Sequence, residues 1–144
     1  MPNKSTKLDK IKIWFKNPVN LVVMALFLFV ILIKIYYFIL TAQQPLWWDE
    51  AEYLSMAKKW AYNVPFDEFF LRPPLLPFIA FLLFKIGFGE LSVRVFELLA
   101  SIIGLIFVYL LSKEIYNKRI AVLSTFLMSV FYLHNFYTYR IMTE

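Results

Sequence analysis

The sequence predicts an all-α membrane protein, with three transmembrane helices and two interfacial helices in the first outer loop. Three observations lead there. The 144 residues are 61% hydrophobic and 20% aromatic, with a mean hydropathy of +0.65, whereas soluble domains run at roughly 45 to 50% apolar. The apolar residues gather into long runs, and about 20 residues of helix cross a hydrocarbon core of roughly 30 Å. Finally, five of the fifteen basic residues, Lys4, Lys7, Lys10, Lys12 and Lys16, stand ahead of the first run. Such a bias keeps a terminus on the cytoplasmic side. The net charge of +5 is therefore a topology signal more than a nucleic-acid footprint, and no nucleic-acid partner is expected. The chain has no cysteine, which excludes disulfides, thiolate metal sites and thiol nucleophiles.

In chain order, residues 1–17 read as a lysine-rich cytoplasmic tail. Pro18 opens a run from Val19 to Leu40, interrupted only by Asn20 and Lys34, and 18–40 is read as transmembrane helix 1. A cleaved signal would have an apolar core of about 7 to 15 residues followed by a small-residue site; this run is longer and leads into Thr41-Ala42-Gln43-Gln44, so it reads as an uncleaved anchor. Lys34 lies near the outer end, where its stem lets the ammonium snorkel to the interface. Pro45, Trp47 and Trp48 mark the outer interface, because indole rings prefer headgroup depth.

Within the outer loop, 41–90, the stretch from Trp47 to Pro74 is the long polar interval between apolar runs and holds five of the ten acidic residues: Asp49, Glu50, Glu52, Asp67 and Glu68. Over 50–62, Tyr53, Leu54, Ala57, Trp60 and Ala61 recur at helical spacing, with Glu52, Ser55, Lys58 and Lys59 opposite them. That pattern predicts an amphipathic helix lying in the interface, with Asp49 placed to cap its free amides. The piece over 75–86 is nearly all apolar but is bounded by Arg72-Pro73-Pro74 and by Gly87 and Gly89. As a helix it reaches only about half the thickness of the core. If it crossed, Lys113, Lys118 and Arg119 would land outside; if it does not, they join the N-terminal lysines inside. It is read as a second interfacial or re-entrant helix. Transmembrane helix 2 follows at 91–112, with Arg94 and Glu97 one turn apart and able to pair. An inner loop at 113–119, transmembrane helix 3 at 120–139 and an outer end at 140–144, read as truncated, complete the chain. His134 has no second histidine beside it and is read as a hydrogen-bonding group across the helices.

Carboxylates beside a bilayer are costly unless exposed, paired or employed in chemistry, and Asp49-Glu50 directly follows an aromatic anchor. On spacing alone, a helix cap and an exposed acidic loop account for the pair equally well. The wider pattern says more. Pro45-x3-Asp49-Glu50-x2-Tyr53, an amphipathic helix, Arg72-Pro73-Pro74-Leu75, Gly89-Glu90-x3-Arg94, a basic inner turn and an outward helix ending Thr143-Glu144 together resemble the start of the C-type membrane glycosyltransferases. Within that superfamily the pattern looks like the dolichyl-phosphate-mannose protein mannosyltransferases and the lipid A aminoarabinose transferases. The likeness runs in order from Pro18 onward. It departs from the usual pattern at two places: Arg72 stands where Lys or His is common, and Glu144 where Asp is common.

What the resemblance implies is transfer of a sugar from a polyprenyl-phosphate carrier to an acceptor protein or lipid at the outer face of the cell membrane, with inversion. It implies that Asp49 is the general base, that Glu50 sets its environment, and that Tyr53, Arg72, Arg94 and Glu144 bind substrate, Arg72 taking the carrier phosphate bidentately. No cofactor is called for; a divalent metal is left open. Since family members carry many more helices, the chain reads as an N-terminal module, inactive alone. The rival from another class is a non-catalytic membrane subunit whose acidic loop docks a partner. A transporter fragment fits less well, because only Lys34 approaches mid-membrane.

Overall fold

The computed structural model describes residues 15–65 and 72–142. All its regular structure among those residues is helical: α1 Pro18–Thr41, α2 Trp48–Tyr62, α3 Leu75–Lys85, α4 Glu90–Ile115, α5 Lys118–Val130 and α6 Tyr132–Thr138. The expected tail up to residue 14, the acidic pair Asp67 and Glu68, and Glu144 lie outside the described residues.

Local chemistry explains the boundaries. α1 starts at Pro18, whose missing N–H costs nothing in a first turn, and the Asn17 side chain accepts from Val19 N at 3.0 Å. α2 ends at Asn63 in the left-handed region, φ 56°, a conformation asparagine tolerates. In α3, Pro77 falls within the first turn, where a missing donor is harmless; the helix stops before Gly87, which takes φ 90° and so needs glycine. The α5 cap is Asn117, accepting from the amides of Arg119 and Ile120.

α1 and α4, of 24 and 26 residues, are long and apolar enough to cross a membrane. Their exposed residues are mainly large and apolar, among them Leu28, Leu32, Ile39, Phe107 and Leu111, as lipid-facing helices require. α3, with 11 residues, is too short to cross. Among the described residues a third span exists only if α5 and α6 count as one, and they meet at a 61° bend. The single continuous helix expected over 120–139 is thus corrected: it breaks at Phe131, which is extended (φ −66°, ψ 125°). No proline or glycine sits there. The break is held by a side chain, since Asn135 Nδ2 donates to Ser129 O at 2.9 Å, giving a partner to a carbonyl near the interrupted ladder.

A second correction concerns Lys34. It does not snorkel outward but is fully buried, donating to Asn135 Oδ1 at 3.3 Å and Thr138 Oγ1 at 3.1 Å on α6. Thr138 Oγ1 lies 2.7 Å from Ser101 Oγ on α4, which is 3.1 Å from His134 Nε2. Three helices are therefore joined by one buried polar network.

The packing forms two apolar centres. In one, Tyr53, Leu54, Ala57 and Ala61 of α2 meet Leu76, Ala80 and Phe84 of α3, Val93 of α4, and Ile141 and Met142 beyond α6. In the other, Leu26 and Val30 of α1 meet Leu105 of α4, with Val122 of α5 against them. Between helices, Lys118 Nζ donates to Asn20 Oδ1 at 3.0 Å, which accounts for the one polar residue near the start of the α1 apolar run. The first centre positions the site.

Candidate active site around Asp49 and Arg72

α2 starts at Trp48, two residues earlier than the sequence pattern places it, so Asp49 and Glu50 lie within its first turn. That shift separates their roles. Glu50, not Asp49, serves the helix start: its Oε2 accepts from Trp47 N at 2.7 Å, half of a capping box. The capping expected of Asp49 is corrected accordingly, because the Asp49 carboxylate turns to Arg72.

Arg72 reaches back from the start of α3 to the α2 surface. Its Nη2 donates to Asp49 Oδ1 and its Nε to Glu52 Oε2 at 2.6 Å, with Cζ 5.8 Å from the centre of the Tyr53 ring. Asp49, Glu52 and Tyr53 stand at i, i+3 and i+4 on one face. Their exposures differ: the Asp49 side chain is 41% exposed, Arg72 16% and Glu52 12%. Glu52 is fixed further by Trp48 Nε1, which donates to its other oxygen at 2.7 Å. Tyr53 is buried in the first apolar centre, so its ring forms the floor under the guanidinium. Among the described residues the result is a cation held by two carboxylates, one enclosed and one open to solvent. Such charge-assisted bonds orient the guanidinium, and the open edge is suited to exchange.

Glu50 is fully buried and points the other way. Oε1 accepts from Ile141 N at 3.0 Å and Oε2 from Arg140 Nη1 at 3.2 Å. Arg140 also donates to Gln44 Oε1 at 3.2 Å and stacks over Trp47, with Cζ 4.1 Å from the ring centre. Arg94, 5% exposed, gives Nη1 to Thr41 O at 2.8 Å and Nη2 to Gln44 O at 3.0 Å, fastening α4 to the chain as it leaves α1. The pairing expected between Arg94 and Glu97 is replaced by these two carbonyls. The structure therefore brings together Asp49, Tyr53 and Arg72, sets Glu50 behind them on α2, and holds Arg94 in the adjoining turn.

Sequence reasoning missed Glu52 and Arg140. Glu52 could have been found from its i+3 spacing to Asp49, although it was assigned to the solvated face with Lys58. Lys58 does occupy that face, 2.6 Å from Glu90, with both side chains about 40% exposed. Arg140 carries no local signal, since its partners are about 90 residues away. Among the described residues no three His, Cys, Asp or Glu side chains gather as a metal site. A cavity of about 560 Å³ lies apart from the charged cluster, lined by Leu83, Phe88, Leu91, Val95 and Leu99 among others, and it offers no acid or base.

Residues 71–144 match the profile of the dolichyl-phosphate-mannose-protein mannosyltransferase family. The chain belongs to that family. No curated protein and no solved structure matches it. The match takes in Arg72, Arg94 and Arg140. A membrane glycosyltransferase family accords with helices long and apolar enough to span a bilayer. In this mannosyltransferase-family chain, Asp49, Glu50 and Glu52 precede the matched segment and are joined to it by Arg72 and Arg140.

Proposed function

We propose that the chain forms the acceptor-activating and donor-phosphate-binding part of an inverting membrane glycosyltransferase, using a polyprenyl-phosphate sugar at the outer face of the cell membrane. The observation that carries the reading is the division of Arg72 between an enclosed carboxylate, Glu52, and an open one, Asp49. Glu52 keeps Nε. A donor phosphate exchanges with Asp49 at the open edge, because phosphate oxygens match the guanidinium fork as a carboxylate does. The displaced Asp49 carboxylate is then free to turn away from the phosphate, toward the face of the anomeric carbon opposite it, where an acceptor hydroxyl approaches.

The reaction follows from that placement. The acceptor hydroxyl oxygen forms a bond to the anomeric carbon while the bond from that carbon to the phosphate oxygen breaks. Asp49 takes the hydroxyl proton, and the polyprenyl phosphate leaves with the electron pair, its charge stabilised by Arg72. Attack opposite the leaving group inverts the centre. Tyr53 floors the site, while Glu50 and Arg94 hold its frame. Trp47 and Trp48, 48% and 77% exposed, suit headgroup depth, where a lipid-linked donor must be met; the acceptor is a hydroxyl of a protein or lipid.

The test is transfer itself. Membranes carrying the full-length protein are given polyprenyl-phosphate-linked hexoses and pentoses with a radiolabelled sugar. Label appears in protein or lipid in the inverted configuration. Transfer with retention, or from nucleotide sugars alone, contradicts the reading.

A further inference from the structure

Arg140 stands two residues beyond Thr138, the last residue of α6, yet its side chain is only 12% exposed. Its side-chain hydrogen bonds run toward the start of α2 and the turn before it. Nη1 donates to Glu50 Oε2 and Nη2 to Gln44 Oε1, each at 3.2 Å. The guanidinium plane lies over Trp47, with Cζ 4.1 Å from the ring centre and 6.0 Å from that of Phe136. Trp47 and Phe136 are themselves in contact, ring centres 5.4 Å apart. The next residue continues the grip: Ile141 N donates to Glu50 Oε1 at 3.0 Å, and the Ile141 side chain is fully buried against α2.

We propose that Arg140 is a positioning residue for Asp49, acting through Glu50 and Trp47; the inference rests on Asp49 being the base. Glu50 is the neighbour of Asp49 in the first turn of α2, and Trp47 precedes that turn. Arg140 holds both at once, by charge on one edge and by stacking on its face. This fixes the rotation of the turn about the α2 axis, and with it the direction of the Asp49 carboxylate toward Arg72. Without Arg140, Glu50 is a buried carboxylate left with two backbone amides and no described cation, and the turn is free to rotate so that Glu50 reaches water. Asp49 turns with it. The planar fork is essential to this arrangement: a lysine supplies charge to Glu50 but neither a second nitrogen directed at Gln44 nor the flat face on Trp47.

The experiment is a kinetic cycle in the full-length protein, comparing Arg140→Lys and Arg140→Gln with the parent and repeating both in the Asp49→Asn background. Turnover is counted per folded molecule, and donor KM is read separately. Arg140→Lys lowers kcat by about 10-fold and Arg140→Gln by on the order of 100-fold, the scale expected when a reacting group is misplaced by about 1 Å, with donor KM unchanged. In Asp49→Asn neither substitution lowers the residual rate further, because the group they position is gone. The inference is overturned if the same factors persist in Asp49→Asn, if donor KM rises instead of kcat falling, or if kcat per folded molecule is unchanged. Arg140→Lys keeps the buried charge paired, so the comparison survives poor folding of Arg140→Gln. Failure of the underlying reading looks different: Asp49→Asn then turns over at the parental rate.

Discussion

Lys34 on α1 and Thr138 on α6, 104 residues apart, are joined by a 3.1 Å hydrogen bond enclosed by the helices. Thr138 passes the link to Ser101 on α4 at 2.7 Å, and Asn135 takes the other bond from the ammonium. An ammonium withdrawn from water in a lipid-facing bundle is tolerated only where acceptors surround it, so this group dictates where α6 sits. The orientation of α6 in turn delivers Arg140 and Ile141 to Glu50.

This network makes a stability prediction. Thr138→Val deprives Lys34 of one of its two described hydrogen-bond acceptors and lowers stability in detergent by about 1 to 3 kcal/mol, the usual cost of orphaning a buried polar group. In a Lys34→Met background the same change costs less, because the orphaned donor is no longer present. Unfolding of the four proteins, followed by denaturant titration in micelles, gives the coupling directly. Additive losses would show that the two residues do not act together.

The difference between what could and could not be read from the sequence is itself physical. The presence of α1 and α4 follows from long, mainly apolar runs, and their starts from Asn17-Pro18 and Gly89-Glu90, all local signals. The short α3 is legible for the same reason, being closed by Pro73-Pro74 and Gly87. The break at Phe131 is not legible, since nothing between Ile120 and Tyr139 disfavours a helix; a side chain on one piece, Asn135, and a cation on another, Lys34, hold it open. At the site, the motif residues Asp49 and Arg72 were visible as a pattern, and the shared face with Glu52 follows from helical spacing. The Glu50–Arg140 pair was out of reach, because charge pairing across about 90 residues leaves no periodic trace.

Topology gives a second prediction. The lysines ahead of α1 and the Lys118-Arg119 pair at the start of α5 belong on one side of the membrane, while α2, α3 and their connections belong on the other. Single cysteines at Asn63, Ser92 and Asn117 are labelled by an impermeant thiol reagent from outside, outside and inside, respectively. Labelling of position 117 from outside would require a different number of crossings before α5.

Arg72 provides the third. With the carrier phosphate bound through a guanidinium fork, Arg72→Lys retains partial activity because a point charge replaces part of a bidentate contact. Arg72→Ala also leaves Glu52, 12% exposed, without its cation. Donor KM rises by about 10-fold for lysine and on the order of 100-fold for alanine, corresponding to roughly 1.4 kcal/mol per decade. Steady-state kinetics with a water-dispersible short-chain polyprenyl-phosphate sugar measures both. Unchanged donor KM in Arg72→Ala would make the residue a structural tie between α2 and α3 and nothing more.

The central claim is that Asp49, the exposed partner of Arg72, is the general base. The most direct measurement is the turnover of Asp49→Asn in the full-length protein, alongside binding of the polyprenyl-phosphate donor to the same preparation. Removing a general base costs about 10² to 10⁴ in rate, and the neutral isosteric amide competes for Arg72 no better than the carboxylate it replaces, so donor binding is retained. The predicted result is a loss of turnover of that order with donor affinity within a few-fold of the parent. Turnover near the parental rate in Asp49→Asn, with activity abolished in Glu52→Gln or Glu144→Gln instead, would contradict the assignment.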